Sequence, residues 1–265
     1  MNDNIKAVLL VGGMGTRLRS VLPDVPKPLA AIGGTTFLDL LVRQLHSQGI
    51  RQLVMCTGFR SGQIEEHFGS GRDWDVLLEY SRESEPLGTA GALRLAENYL
   101  RTASNFLVMN GDSFLEINFD QFLRAHRRHG GVATMAVRHV DNAARYGTVE
   151  VQDHGRVRGF TEKKGLPVSG LINAGIYAFT PEIFSYIPEG RTSLETDVFP
   201  RLLDGKLYAA RHDGLFIDIG TPDDYARAQV MWDRLQKAAI SKREAGYRND
   251  NELLRWQEGP SGERP

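Results

Sequence analysis

The chain has 265 residues, enough for one large α/β unit with a substantial core, and carries 32 basic against 33 acidic side chains. So even a balance gives no overall field to gather nucleic acid or a membrane surface, and any anion site has to be local. A single cysteine, Cys56, excludes a disulfide within the chain, and the first apolar run is too short for a signal-peptide core or a membrane span, so a cytoplasmic location is expected.

The first apolar run, Ala7 to Val11, is read as a strand and is followed by the glycine-rich stretch Gly12-Gly13-Met14-Gly15-Thr16-Arg17. Phe37, Leu41 and Leu45 then recur every four residues up to Gly49, the spacing of a helix, and Leu53 to Thr57 is the next strand. Cys56 falls in that run and is expected to be a buried thiol. Strand, helix, strand in this order predicts parallel β-α-β crossovers. Further apolar runs stand at Phe106 to Met109, Val132 to Val137 and Ile172 to Phe179. Residues 145 to 163 read as a hairpin turned at Asp153-His154-Gly155. The central sheet is therefore expected to be mixed. From Asp223 the apolar stripe Tyr225, Ala228, Trp232, Leu235, Ala239 predicts one final docked helix, and beyond Lys242 the chain turns polar. The organisation expected is a single domain over residues 1–240 with a polar tail over 241–265. Its fold class is a Rossmann-like three-layer α/β/α with a mixed, mainly parallel sheet.

A glycine turn after a strand lets backbone N–H groups face an anion, and the missing Cβ atoms let a phosphate come close. The Walker pattern fails because Arg17 stands where its lysine belongs, and the dinucleotide fingerprint fails because Leu18 stands where its third glycine belongs. What remains is a glycine loop with one arginine, followed by Lys27 held between Pro26 and Pro28. Both cations suit phosphate, Arg17 as a fork and Lys27 as a point charge.

The stretch from Leu9 to Gly34 resembles the signature of the sugar-1-phosphate nucleotidylyltransferases, which join a nucleoside triphosphate to a sugar 1-phosphate and release pyrophosphate. "EPLGTAGAL" at 85–93, "NGD" at 110–112, "TEK" at 161–163, "NAGIY" at 173–177 and "DIGTP" at 218–222 follow in that family's order. The resemblance implies the nucleotide-diphospho-sugar transferase type of fold. It is strongest toward the D-glycero-α-D-manno-heptose 1-phosphate guanylyltransferases, with the mannose 1-phosphate enzymes as close neighbours. Residues after Ala228 show no repeat, so the left-handed helix domain of longer family members is not expected.

By resemblance, Arg17, Lys27 and Lys163 are the catalytic cations, the first two on the triphosphate and the third on the attacking sugar phosphate. Leu10, Gly12, Gly13, Gly15, Thr16, Gly88 and Thr89 would hold the nucleotide. Glu85 would read the base, since a carboxylate matches the adjacent N1–H and N2–H donors of guanine. The alternative is that Glu85 is exposed and the backbone of Leu87 and Gly88 reads it. Gly147, Glu162, Asn173 and Gly175 would line the sugar pocket. Asp112 and Asp218 would hold Mg²⁺, as hard oxygen ligands alongside triphosphate oxygens. The expected partners are a nucleoside triphosphate, GTP favoured, and a sugar 1-phosphate, with neither nucleic acid nor membrane and with a homo-oligomer open.

Other residues carry less. The seven histidines show no metal-binding spacing, and His126 to His129 read as a solvated helix end. Met109 and Met135 read as core. Three other readings compete with the leading one. The uridylyltransferases of the same family can also carry an acidic residue at the base loop. A glycosyltransferase would not need a triphosphate cradle. A non-catalytic nucleotide-sugar-sensing subunit would be favoured by loss of Arg17, Lys27, Asp112 or Asp218, all of which are present.

Overall fold

The computed structural model describes residues 5–18, 21–161 and 168–241. In chain order the elements are β1 (Lys6–Leu10), β2 (Ala31–Ile32), β3 (Thr35–Thr36), α1 (Phe37–Ser47), β4 (Gln52–Thr57), α2 (Ser61–Phe68), β5 (Leu77–Arg82), α3 (Gly88–Leu95), α4 (Glu97–Leu100) and β6 (Phe106–Asn110). They continue with β7 (Ser113–Leu115), α5 (Phe119–His129), β8 (Ala133–Val140), β9 (Thr148–Val151), β10 (Val157–Thr161), β11 (Gly170–Phe179), β12 (Leu207–Arg211), β13 (Phe216–Asp218), α6 (Pro222–Val230) and α7 (Trp232–Ile240).

Seven strands form the central sheet in the order β12-β8-β11-β6-β1-β4-β5. Every neighbouring pair is parallel except those of β11, which runs antiparallel to both β6 and β8. The expected mixed, mainly parallel sheet is therefore present. Alternation along its strands divides the core in two. Ala7, Leu9, Leu53 and Met55 face α1, α5 and α7, whereas Val8, Val54 and Val108 face α3 and the aromatic residues Phe179, Phe184 and Phe199. Burial on both faces explains why these strands read as continuous apolar runs.

Local chemistry sets the helix ends. The hydroxyl of Thr36 accepts from the Asp39 amide while the Asp39 carboxylate accepts from the Thr36 amide at 2.8 Å, a reciprocal cap that starts α1. Asp39 is buried, and its other oxygen meets His67 Nε2 at 2.7 Å. The hairpin of β9 and β10 is present, with His154 at a positive φ of 59° in its turn.

The glycine loop leads into a single 3₁₀ turn, Thr16–Leu18, and the first α-helix starts only at Phe37. Two sequence expectations need correction. The final helix is two, α6 and α7, divided at Met231 (φ −88°, ψ 5°), where the Trp232 ring packs so closely on Gly33 that a Cβ there would lie 2.2 Å from it. His126 is not at a solvated end: it is 1% exposed and its Nδ1 lies 3.0 Å from Thr134 Oγ1, although Arg127 and Arg128 beside it are exposed. Its position on α5 is seven after Phe119 and four after Phe122, which puts it on the buried stripe.

Met109, Met135 and Cys56 are buried as expected. Ile240 ends the last described helix, and the polar tail from residue 242 lies outside the described residues. Among the described residues no helix is long and apolar enough to cross a membrane.

Candidate nucleotide and sugar-phosphate site

A cleft of about 430 Å³ opens at the carboxyl ends of β1, β4 and β6. Ligands of open α/β sheets bind at this edge. Leu10, Gly12, Gly13, Gly15, Thr16, Arg17, Lys27, Gly88, Thr89 and Asp112 all line it, so most of the expected nucleotide and catalytic set is brought to one place.

The loop starts where β1 ends, with the Val11 amide donating to the Cys56 carbonyl at 3.0 Å. Gly15 has a φ of +57°, and a Cβ there would lie 3.0 Å from that of Lys27. Gly13 faces open space. Lys27 begins a 3₁₀ turn set by Pro26 and Pro28, and its Nζ lies 2.5 Å from Asp112 Oδ2. Arg17 is exposed on the rim with no ion pair among the described residues.

Asp112 and Asp218, far apart in the chain, meet through a small two-stranded ribbon. Strand β13 pairs antiparallel with β7 and sets Asp218 opposite Ser113, and the Ile219 amide donates to the Asp112 carbonyl at 2.9 Å. The Ser113 hydroxyl stands between the carboxylates, 3.2 Å from Asp112 Oδ1 and 3.3 Å from Asp218 Oδ2. Burial, and then the charge of Asp112, push the Asp218 carboxyl above its usual range, while Lys27 and the Gly220 amide oppose the shift.

Two converging carboxylates with a residual repulsion fit a hard divalent cation. Among the described residues no three His, Cys, Asp or Glu side chains cluster as a complete metal site. The rest of a Mg²⁺ shell would accordingly come from substrate oxygens and water, as is usual for that ion.

In the base loop Glu85 is exposed and outside the cleft lining, as the alternative reading had it, whereas Glu83, given no role above, lines the cleft and accepts from the Leu87 amide at 3.1 Å. Glu83 packs against the glycine loop so closely that a Cβ on Gly12 would lie 2.7 Å from its Oε1. Burial raises its pKa, opposed by the Leu87 hydrogen bond. Burial, with the nearby Glu83 charge, also pushes the Cys56 thiol up to about 12, the state of an inert core thiol on the cleft floor.

Gly88 (φ +75°) is clamped onto a neighbouring segment: a Cβ would lie 2.4 Å from the Thr192 carbonyl, which accepts from the Ala90 and Gly91 amides at 3.0 and 3.2 Å.

The stretch Arg191 to Asp197, which contains no sequence motif named above, supplies that clamp, and Arg191 reaches the cleft lining. Read alone, it is a short polar turn like any surface loop. Asn110, which opens the NGD motif but carries no role in the sequence reading, also lines the cleft, and its buried Oδ1 has no hydrogen-bond partner among the described residues, which leaves an acceptor for a ligand donor.

Gly147, Asn173 and Gly175 lie beside the cleft rather than in its lining. Asn173 and Gly175 sit at a register shift in β11, a bulge that re-aims the strand, with Gly175 at φ +75° against Asn110. Gly147 (φ +74°) follows Arg145 and Tyr146. Arg145 forms an ion pair with Asp224 and lies 4.0 Å from Asp218, and Tyr146 meets Phe216 edge-on, so this turn is tied to the ribbon that carries Asp218. Glu162 and Lys163 lie outside the described residues.

The family model for nucleotidyl transferases matches residues 6–233. The chain belongs to that family. Among its relatives, the catalytic subunit beta of mannose-1-phosphate guanylyltransferase from Drosophila pseudoobscura pseudoobscura is 36% identical over 235 residues, covering 88% of this chain and 63% of the relative. The zebrafish (Danio rerio) protein of the same name is 36% identical over 232 residues, covering 86% of this chain and 64% of its own length. The chain thus spans somewhat under two thirds of these relatives. Among solved structures, HddC from Yersinia pseudotuberculosis in complex with GMP-PN superposes with a TM-score of 0.78 at 32% identity, covering 86% of this chain and all of that one. A Bacillus anthracis structure described as a glucose-1-phosphate thymidylyltransferase shares the fold at 23% identity, with a TM-score of 0.77 and 94% and 99% coverage.

Proposed function

We propose that the chain transfers GMP from GTP to a sugar 1-phosphate of manno configuration, forming a GDP-sugar and pyrophosphate. The observation that carries the guanine preference is the Glu83 carboxylate inside the cleft, next to the glycine loop. Guanine alone among the common bases offers two adjacent donors to such a group. This role moves from Glu85 to Glu83. The relatives named as mannose-1-phosphate guanylyltransferases support the same reading, as does the guanine nucleotide analogue in the HddC structure.

In this reaction a phosphate oxygen of the sugar 1-phosphate attacks the α-phosphorus in line, and the bond to the bridging oxygen of pyrophosphate breaks. A phosphate monoester with a second pKa of about 6 is already largely dianionic at neutral pH, so no side chain has to remove a proton. The barrier is electrostatic, and positioning with cationic stabilisation lowers it. The Gly12–Gly15 loop would cradle the triphosphate, with Arg17 on the departing pyrophosphate and Lys27 on the nucleotide phosphates. Lys163 is assigned the sugar phosphate, and Gly147, Glu162, Asn173 and Gly175 the sugar hydroxyls. Asp112 and Asp218 would hold Mg²⁺, which when bound polarises the α-phosphoryl group and offsets the leaving charge.

Mannose and D-glycero-α-D-manno-heptose share the ring configuration and differ by one carbinol, so both 1-phosphates are candidate acceptors. The deciding experiment is pyrophosphate release with Mg²⁺ for GTP, UTP, CTP, ATP and dTTP against mannose, manno-heptose, glucose and N-acetylhexosamine 1-phosphates. The expected signal is GTP with a manno sugar. A signal in the UTP row instead assigns a uridylyltransferase, and silence from folded protein that still binds nucleotide assigns a sensing subunit.

A further inference from the structure

Glu195 stands where the nucleotide side and the sugar side of the proposed site meet. It lies on a single π-helical turn, Leu194–Val198. Its Oε2 accepts from Ser193 Oγ at 2.7 Å and from Thr89 Oγ1 at 2.9 Å, while its Oε1 accepts from the Tyr177 hydroxyl at 3.4 Å. The Tyr177 oxygen in turn accepts from Asn173 Nδ2 at 2.8 Å, and Asn173 Oδ1 accepts from the Gly175 amide at 3.0 Å.

An ionised carboxylate offers acceptors only, so it gives this chain of bonds one direction. Tyr177 has to donate toward Glu195, and its oxygen therefore receives the Asn173 NH₂ group. That leaves the Asn173 oxygen on Gly175. Without the carboxylate, the two orientations of the asparagine amide would be nearly equivalent in shape. Tyr177 is fully buried and stacks on Phe179 at 5.8 Å, so its ring does not swing away. Burial also raises the Tyr177 hydroxyl well above its ordinary pKa, which keeps it a donor. One N–H of Asn173 is then left for a sugar hydroxyl.

We propose that Glu195 is the positioning residue for the acceptor sugar. It orients the Asn173 amide through Tyr177 and, by holding Thr89, ties that orientation to the nucleotide loop. The proposal rests on the nucleotidyl-transfer reading above.

The test is steady-state kinetics of Glu195→Gln and Tyr177→Phe with GTP and the preferred sugar 1-phosphate, alongside direct calorimetric titration of each protein with a non-hydrolysable GTP analogue. Glu195→Gln keeps the shape but adds donors, so the Tyr177 hydroxyl is no longer forced to donate. Tyr177→Phe cuts the link to Asn173 and leaves the contact with Thr89. Each is expected to raise KM for the sugar phosphate roughly tenfold, the worth of one charged hydrogen bond, with the dissociation constant of the analogue little changed. The double variant is expected to be no worse than the worse single one, because both break the same chain. An unchanged sugar KM in Glu195→Gln overturns the proposal, and so does an equal loss for both substrates, which marks a merely structural role. If Tyr177→Phe does not fold, Glu195→Gln alone decides. Wild-type protein that releases no pyrophosphate from any substrate pair overturns the functional reading itself, a result visible before any variant is made.

Discussion

Lys27 and Asp112 form an ion pair of 2.5 Å in which the lysine side chain is only 9% exposed. An ammonium thus already neutralises one oxygen of a carboxylate expected to hold a cation. Asp112→Asn should keep the fold, with melting temperature near that of the wild type, and lower turnover by about a hundredfold or more, as loss of a charge-stabilising group does. Near-normal turnover would remove Asp112 from the metal site.

The same pair predicts an effect on metal binding without nucleotide. A divalent cation approaching Asp112 meets the like charge of Lys27 at close range. Lys27→Met should therefore tighten Mn²⁺ binding by the nucleotide-free protein, read by electron paramagnetic resonance, while weakening GTP binding. Weaker Mn²⁺ binding would mean that the ion pair organises the carboxylates rather than competing for them.

Glu83 and Glu85 separate by position, since the first lines the cleft and the second is exposed. Glu83→Gln should cost roughly tenfold or more in preference for GTP over the other triphosphates, the scale of a lost hydrogen bond to a charged group. Glu85→Gln should leave base selectivity as it is. The ratio of kcat/KM values across nucleotides measures both, and the reverse pattern would return the base contact to Glu85.

Two glycines of the site should respond differently. Gly88→Ala forces a Cβ onto the Thr192 carbonyl at a residue with φ of +75°, so about 1–3 kcal/mol of stability should be lost together with nucleotide affinity. Gly13→Ala meets no atom within 4 Å and should unfold with the wild-type midpoint in urea. Its GTP affinity should still fall, because the added methyl takes space meant for phosphate. Unchanged affinity would place the triphosphate elsewhere along the loop.

Two buried histidines contribute to the acid sensitivity of the fold. Burial pushes both His126 and His212 down to about 4, reinforced at His126 by His129 and Arg127 and opposed at His212 by Asp213. In the unfolded chain each titrates near 6.5. The unfolded state therefore binds more protons between these values, so the stability due to the neutral rings is complete above pH about 6.5 and is lost as pH falls toward 4. The linkage is worth about 3 kcal/mol for each at most. Urea unfolding from pH 7 to 4 should show this slope, and His126→Gln should flatten it. A flat profile in the wild type would mean that the rings stay paired when charged.

The sequence by itself determined the parallel core, because strands buried on both faces must be continuously apolar and the helices between them must carry a stripe. It also brought out Gly12, Gly13, Gly15, Arg17 and Lys27 as one candidate group, because they stand close together in the stretch after β1. Periodicity even held the signal for His126, which shares a helix face with Phe119 and Phe122. The tertiary structure alone decided what depends on pairing between distant segments. Asp218 reaches Asp112 only because β13 pairs with β7, and Gly88 is locked by the carbonyl of Thr192, distant in sequence and packed directly against it. Glu83 rather than Glu85 enters the site because the Leu87 amide folds the chain back onto the first carboxylate. Glu195, in a polar turn with no motif, accepts from three side chains, of which only Ser193 is close in sequence, and is linked to Asn173 through one of them, Tyr177. Hydrogen bonds and charge pairs act over a few ångströms in space, and sequence separation carries no measure of that distance.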